Sequence, residues 1–379
     1  MSVPPNGGWP QAPRPDSGQP GPGYPGAQPQ QPYPGPPGPW PPQPGYPPPV
    51  PPSKGNGIKW LLGGLAVLLV IGLAVTTTLL LTRDKTPSTP GTSSAPSDVA
   101  SAADTGPVSI ITVEPTCTAY SAINNAIASV QGNGWGDERD SLGPVAQWTS
   151  EQRTRVEAVA DGLKKTADQL VPLANQTPHR VVRELYEQII AYMRAYADSI
   201  PTYEPRDNSL ATVFVNAELG VTALCTAITN GSAVRAVVDP SAVPASTAPV
   251  KDFANPQRFV TKTDGTCQAW IPREDQFATD SDAWSKYDSG IPAVDWTPEQ
   301  RAANEAVFPI TAAYADAIEK AGRSSGNPTL EDFAVTAATY LRAFVAVGTN
   351  FVPADGWLNA AGARFGNVIT AACQAVGSQ

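Results

Sequence analysis

Four short motifs occur twice, in the same order, after residue 106, and this internal repeat limits the fold more than any other feature. Thr-Cys-Thr-Ala-Tyr at 116–120 corresponds to Thr-Cys-Gln-Ala-Trp at 266–270, which lies 150 residues later. The other three pairs are each 148 residues apart: 148–153 with 296–301, 192–196 with 340–344, and 222–225 with 370–373. A nearly constant offset over four motifs predicts two copies of one domain.

Each copy is predicted to form four helices. Thr149 and Gln152 have the spacing of a capping box, which marks the start of the second helix. In the second copy Pro298 follows Thr297 and takes the first helical position, which proline favours. The third helix, at about 178–200, has apolar residues at spacings of three and four, typical of one buried face. They are Val182, Leu185, Ile189, Met193, Tyr196 and Ile200.

The fold class that follows is all-α. Long periodic segments without an alternating strand pattern predict tandem duplicated four-helix bundles. We expect the first bundle at 107–232, a linker at 233–256 and the second bundle at 257–379.

The four cysteines lie at matching places in the two copies. Each copy has one cysteine at the start of its first helix and one near the end of its fourth. These two points are close in an up-down-up-down bundle, so we predict the disulfides Cys117–Cys225 and Cys267–Cys373. Cross-copy pairing stays open, because four cysteines allow three connectivities. Disulfides imply an oxidising compartment.

The first 57 residues are dominated by proline, since 22 of the 42 prolines lie within residues 1–52. Proline fixes φ and has no backbone N–H, so helix and sheet are disfavoured there. The composition predicts a disordered tail with polyproline II character. Two interpretations stay open: the tail docks on a protein partner through its recurring aromatic rings, or it is a solvated spacer.

A single membrane-spanning helix is predicted at 58–82. Trp60–Leu81 has 22 residues without a charge, and about 20 apolar residues suffice to cross a bilayer. Two positive charges flank each side, so orientation rests on the cysteines, which all follow this segment. We expect a plasma-membrane protein with a cytoplasmic N-terminus, a flexible Ser/Thr/Pro stalk at 83–106 and extracytoplasmic bundles.

Charge limits the class of partner. Residues 107–239 and residues 240–379 each contain ten basic and fifteen acidic residues, without a basic run. Nucleic acids are therefore disfavoured, since phosphate binding depends on clustered Lys and Arg. We expect a protein or envelope component as the partner outside the cell.

The sequence predicts no catalytic residues, metal or cofactor. The single histidine, His179, lies at the start of the third helix and is expected to be a cap-region residue. The cysteines are assigned to disulfides, and no glycine-rich phosphate loop follows a strand. Acidic residues are numerous, so composition alone does not exclude paired-acid hydrolysis.

The candidate partner surface is the connection between the first and second helices, at 132–147 and 278–295. Connections of this length are uncommon in compact bundles, and each contains one tryptophan, Trp135 or Trp284. Two interpretations stay open: the rings anchor a partner, as aromatic hot spots do, or they plug the end of the bundle as core.

One charged pair is present in both copies, Glu157 with Arg194 and Glu305 with Arg342. Each pair is equidistant from the predicted turn between helices two and three, so the two side chains are expected to meet. The ordinary interpretation is a surface salt bridge worth ~0–1 kcal/mol. The alternative is a buried pair that lines a site.

The layout of proline-rich tail, one membrane helix, stalk and Ala-rich disulfide-containing domain resembles the proline-rich single-pass membrane proteins of actinobacteria, especially mycobacteria. The resemblance implies a cell-envelope setting and supplies no catalytic residues. The favoured hypothesis is a non-enzymatic envelope protein that binds a protein or envelope ligand outside and uses its tail for recruitment or clustering inside. The alternative is a small-molecule or lipid-binding module with a cavity in each bundle.

Overall fold

Helices are the only regular secondary structure in the residues that the computed structural model describes, which are 99–236, 252–263 and 265–377. The all-α prediction is therefore confirmed for this part of the chain. The predicted tail at 1–57, the membrane helix at 58–82 and most of the stalk lie outside the described residues.

Eight helices of 15 or more residues occur in the described part of the chain, four before residue 237 and four after residue 264. In the first half they are α1 (Cys117–Gln131), α2 (Ser150–Gln176), α3 (Arg180–Ser199) and α4 (Asn208–Thr229). In the second half they are α5 (Gly265–Ser285), α6 (Pro298–Arg323), α7 (Pro328–Val347) and α8 (Gly356–Gly377).

Local capping fixes the start of α2 and of α6. Thr149 Oγ1 accepts the N–H of Gln152 at 3.1 Å, and Gln152 Oε1 accepts the N–H of Thr149 at 3.0 Å. The predicted capping box is thus confirmed. In the second half Pro298 begins α6 as predicted, and Thr297 Oγ1 accepts the N–H of Gln300 at 3.2 Å.

Within each half, helices that are neighbours in sequence pack against each other, and the first helix also contacts the fourth. A disulfide joins α1 to α4 through Cys117 and Cys225, whose Cα atoms are 5.6 Å apart. A second disulfide joins α5 to α8 through Cys267 and Cys373, at 5.2 Å. The predicted pairing is confirmed, and cross-copy pairing is wrong.

The most extensive helix contact of the described residues joins α4 to α8, and so connects the two halves. All described residues belong to one compact unit. The helices α3 and α7 are buried over most of their surface, not on one face alone, because each is covered by its own half and by its counterpart. The sequence did not predict this contact between the halves.

Two contacts join residues that are 148 positions apart. Arg364 Nη1 donates to Oδ1 of Asn216 at 3.0 Å. The carboxyl groups of Glu184 and Asp332 are close enough to interact electrostatically, and burial raises the pKa of both. Matching positions of the two halves therefore meet at the contact between them.

The folded part begins earlier than the predicted boundary at 107. Ala100–Ala103 form a 3-10 turn in which Ser101 is buried. Asp104 Oδ2 accepts the backbone N–H of Arg180 at 2.6 Å. The last residues of the predicted stalk thus pack on α3, since the buried guanidinium of Arg180 donates hydrogen bonds to the backbone carbonyl oxygens of Asp104 and Gly106.

The predicted ion pairs Glu157–Arg194 and Glu305–Arg342 are wrong. Arg194 Nη2 instead lies 2.7 Å from Oδ1 of Asp168. The turn between α2 and α3 lies at 177–179, and the pair at 168 and 194 is centred on 181. The predicted centre of 175.5 placed the turn too early. Glu157 lies near the start of α2, too far from the turn to reach Arg194.

The second half shows the same shift. Arg342 Nη2 lies 2.7 Å from Oδ1 of Asp316, and its Nη1 lies 2.5 Å from Oε2 of Glu319. Glu305 is exposed. These pairs lie on the flank of the bundle, where exposed bridges contribute about 0–1 kcal/mol.

One described helix, Pro205–Thr229, is long and apolar enough to cross a membrane by length and composition. It contains α4, which carries the disulfide to α1 and packs against α8. More than half of its apolar window, 56%, is buried inside the structure. The helix is accordingly a core helix of this unit.

Candidate functional site

The candidate residue Trp135 is buried, with 2% of its surface exposed. Its Nε1 donates to the hydroxyl of Tyr196 at 2.9 Å, and its ring stacks on Phe214 with centroids 6.3 Å apart. The predicted partner surface is therefore wrong at Trp135. The connection at 132–147 folds into short helical turns that insert this ring into the end of the bundle.

The candidate residue Trp284 has different surroundings, because it is only partly buried. It lies near the end of α5, which continues to Ser285, so the connection predicted at 278–295 begins later than expected. Its Nε1 donates to Oδ1 of Asn304 at 2.9 Å, and its ring lies 5.8 Å from that of Phe344.

The difference between the two tryptophans originates on the fourth helix of each half. Phe214 of α4 corresponds to Gly362 of α8, 148 positions later. A Cβ atom at Gly362 would lie 2.8 Å from Cγ of Leu341, so α8 approaches α7 too closely to carry a side chain there. No ring from position 362 therefore covers Trp284.

A cleft with a cavity volume of about 60 Å³ opens beside Trp284. Its aromatic lining consists of Trp284, Tyr287, Trp296, Phe344, Phe351 and Trp357. Its amide lining consists of Gln300, Asn304, Asn359 and Asn367. A concave apolar site with a few placed polar groups is the usual form of a ligand pocket.

One wall of the cleft is held rigidly by Trp296. Its indole N–H is donated to a backbone carbonyl five residues earlier at 3.0 Å. The guanidinium of Arg301 lies over its ring, 5.8 Å from the centroid. Trp148 and Arg153 make the same two contacts in the first half. This wall is therefore a structural feature common to both halves.

The amides beside Trp296 connect the wall to the helices behind it. Asn304 Nδ2 donates to the carbonyl oxygen of Gln300 at 2.9 Å. Gln300 Nε2 in turn donates to the carbonyl oxygen of Asp288 at 3.2 Å. These bonds hold the side-chain amides of Gln300 and Asn304 in place and leave Asn304 Oδ1 to accept the indole N–H of Trp284.

The opposite wall is one face of α8, and it carries the cation of the cleft. Trp357, Ala360, Arg364 and Asn367 recur at spacings of three and four and so share a face. Arg364 has no carboxylate partner among the described residues, and burial lowers its pKa. The arrangement can hold an apolar group between rings and a negative charge beside it.

The other candidate residues do not enter this cleft. His179 directly precedes α3, and its Nε2 lies 2.8 Å from the carbonyl oxygen of Val113, so the cap-region prediction fits its position. Within the described ranges no group of three or more His, Cys, Asp and Glu side chains is placed to hold a metal ion.

Most lining residues were missed by the sequence analysis, although the repeat contains a signal for them. Three positions that are apolar in the first copy hold amides in the second. Val156, Ala211 and Leu219 correspond to Asn304, Asn359 and Asn367. Val156 and Ala211 are buried whereas Leu219 is exposed, so the amides at the matching positions 304 and 359 point to a difference in use between the two halves.

Comparison with known proteins gives a family assignment. An uncharacterised protein from Mycolicibacterium smegmatis (strain MKD8) is 40% identical over 333 residues, which cover 86% of this chain and 88% of the relative. No solved structure matches this chain. A family model described as mycobacterial ESX-1 associated protein matches residues 99–377, nearly the whole described region. The chain therefore belongs to the family of mycobacterial ESX-1 associated proteins.

Proposed function

We propose that this protein is a non-enzymatic, membrane-anchored binding protein that works with the ESX-1 secretion system, and that the cleft of its second half receives the ligand. The family description supports the association with ESX-1. The 22 uncharged residues at Trp60–Leu81 support a single membrane span. The two disulfides support an extracytoplasmic location for the helical region.

The observation that carries this proposal is the contrast between the two halves at one position. Phe214 and Trp135 stack in the first half, whereas Gly362 has no side chain to cover Trp284, which is only partly buried in the second. Aromatic residues at the centre of a concave surface are the usual anchors of binding. The first half, whose bundle end is filled, would then be the scaffold, and the second half, whose bundle end is open, would contain the binding site.

The halves themselves are proposed to descend from one duplicated bundle related by a local twofold axis. A twofold axis brings a residue of one unit against its own counterpart. Asn216 with Arg364 and Glu184 with Asp332 are two such contacts, each between positions 148 apart. The first half then serves as a rigid base on which the second half has diverged.

The proline-rich tail is proposed to act on the cytoplasmic side, where it recruits or clusters partners. The proposal is supported by its density of prolines with interspersed aromatic residues, because proline-rich segments are ligands of aromatic-lined grooves. The protein thereby connects a ligand outside the membrane with proteins inside it.

Quantitative secretion analysis tests this proposal. In a mycobacterium that encodes this chain and an ESX-1 system, Trp357→Ala is expected to reduce the amount of ESX-1-exported protein in the culture filtrate while the abundance of the chain stays unchanged. The matched control is Ser209→Ala at the corresponding position of the first half, which is expected to change nothing. Unaltered export from a strain that lacks the whole chain would contradict the association with ESX-1.

A further inference from the structure

We infer that Arg364 binds a carboxylate, so that the ligand of the cleft is a monoanion with an aromatic or alkyl group beside its charge. This inference rests on the proposed function, because it names the chemistry of the ligand that the cleft receives. It follows from the position of Arg364, from its partners and from its neighbours on α8.

Arg364 is held in place by a neutral group of the other half. Its Nη1 donates to Oδ1 of Asn216 at 3.0 Å. Asn216 uses its own Nδ2 to donate to the carbonyl oxygen of Thr212 at 2.9 Å, which fixes the amide with its oxygen toward Arg364. A guanidinium has five N–H donors, so this contact orients it and leaves donors for a ligand.

The two arginines that are buried in the described residues, Arg180 and Arg183, each have a carboxylate partner, which the partly buried Arg364 lacks. Arg180 Nε lies 2.6 Å from Oδ2 of Asp332, and Arg183 Nη1 lies 2.8 Å from Oε1 of Glu187. Arg364 makes no ion pair among the described residues, and desolvation alone lowers its pKa. An unpaired cation removed from water is costly, and a bound anion would remove that cost.

The surroundings of Arg364 define the other end of the ligand. Trp357 lies seven positions earlier on the same face of α8, and the small residue Ala360 lies between them. On the facing wall lie the partly buried ring of Trp284 and the buried ring of Phe344, 5.8 Å apart. We expect a ring or short alkyl chain of the ligand to pack against these aromatic groups, with its carboxylate at Arg364.

The charge of the lining favours one negative charge over two. Asp288 also lines the cleft, so a phosphate dianion would face one cation and one carboxylate. A carboxylate matches the planar fork of a single guanidinium through two parallel N–H···O bonds. Asn367, one turn after Arg364 on the same face, offers a further amide donor.

Titration calorimetry on the full-length protein in lipid nanodiscs at pH 7 tests the inference with four probes. They are 3-phenylpropionate, its neutral amide 3-phenylpropionamide, phenyl phosphate and propionate. We expect 3-phenylpropionate to bind about tenfold or more tightly than the amide, since hydrogen bonds between ionised groups are roughly twice as strong as neutral ones. Propionate, which lacks the ring, should bind more weakly still.

The variant Arg364→Gln separates the charge from the shape of the cleft. We expect the affinity of this variant for 3-phenylpropionate to fall to its affinity for the amide, while its affinity for the amide equals that of the wild type. Arg342→Gln, which removes a cation outside the cleft, is the matched control and should leave all four affinities unchanged.

Each result decides a different statement. Equal binding of acid and amide by the wild type would overturn the carboxylate inference and leave the cleft as a binding site. Phenyl phosphate as the tightest probe would overturn the preference for a monoanion. No binding by any probe would overturn both the inference and the proposed use of the cleft.

A peptide that ends in phenylalanine distinguishes the source of the carboxylate. Tighter binding of the peptide with a free carboxylate than of 3-phenylpropionate supports the chain terminus of a protein as the ligand. Equal binding of the two supports a small acid. A peptide amide that binds as tightly as the free acid would again overturn the inference.

Discussion

Arg364 of α8 donates a hydrogen bond to Asn216 of α4, and the two residues stand 148 positions apart in the sequence. At the contact between the halves, a cation therefore faces the amide that occupies its own matching position. This contact places a positive charge on the side of the second half, next to the open cleft. The first half has a neutral residue at that position and a filled bundle end.

The first prediction concerns the hydrogen bond from Trp284 to Asn304. Asn304→Val, which introduces the residue found at position 156, is expected to lower the free energy of unfolding by about 1 kcal/mol, since Trp284 loses its acceptor. Adding Phe344→Tyr supplies a hydroxyl like that of Tyr196 and should recover part of the loss. Urea unfolding of the two single variants and the double variant measures this coupling; additive effects would show that the hydroxyl does not reach Trp284.

The second prediction concerns the disulfide between α5 and α8. Replacing both Cys267 and Cys373 with alanine should lower the free energy of unfolding by about 2–5 kcal/mol, because the bridge closes a long loop in the unfolded chain. Equilibrium unfolding of the full-length protein measures the change. Peptide mapping without reduction provides the control, and it should show Cys117–Cys225 intact in this variant; unchanged stability would contradict a structural bridge.

The third prediction concerns the ion pair of Arg194. A double-mutant cycle with Asp168→Asn and Arg194→Gln should give a coupling of about 0.2–1 kcal/mol, as expected for an exposed pair. The control cycle uses Glu157→Gln with Arg194→Gln and should give a coupling near zero. A coupling to Glu157 equal to that of Asp168 would contradict the observed register of α2 and α3.

The fourth prediction concerns Glu218, which lies buried on α4. Burial raises the pKa of this carboxyl to about 8. The unfolded chain releases the proton near pH 4.5 while the folded chain keeps it to about pH 8, so stability falls as pH rises between these values. Above about pH 8 both states have released the proton and the dependence ends.

Glu218→Gln removes this dependence. At pH 8 the variant should be more stable than the wild type by a few kcal/mol, since each pKa unit corresponds to about 1.4 kcal/mol. At pH 4.5 and below, the two proteins should have nearly equal stability. Thermal unfolding across this pH range makes the comparison, with exposed Glu157→Gln as the control; parallel curves for wild type and Glu218→Gln would contradict the shifted pKa.

Features with a local signal were predictable from the sequence. The start of α2 follows from the side chains of Thr149 and Gln152. The two disulfides follow from the position of each cysteine in an up-down bundle. In each case the information lies within one helix or within the order of the helices.

Features that depend on distant side chains were not predictable in the same way. Trp135 and Trp284 occupy similar places in the sequence, but Phe214 and Gly362 on the fourth helices determine whether the ring is covered. The contact of α4 with α8 was also missed. The apolar sequence of a helix indicates that the helix is buried, but it does not indicate which helix packs against it. The register of α2 against α3 was wrong by eleven residues, Glu157 in place of Asp168, because the position of the turn and the packing of the two helices have no marker in the local sequence.

The most direct measurement is fluorine NMR of the full-length protein in nanodiscs with 5-fluorotryptophan at its tryptophans, titrated with 3-phenylpropionate. Single Trp→Phe variants assign the resonances. The account predicts that the resonances of Trp284 and Trp357 shift with the ligand, while those of Trp135 and Trp148 stay in place. Shifts at Trp135, or unmoved resonances at both Trp284 and Trp357, would contradict the claim that the second half holds the binding cleft.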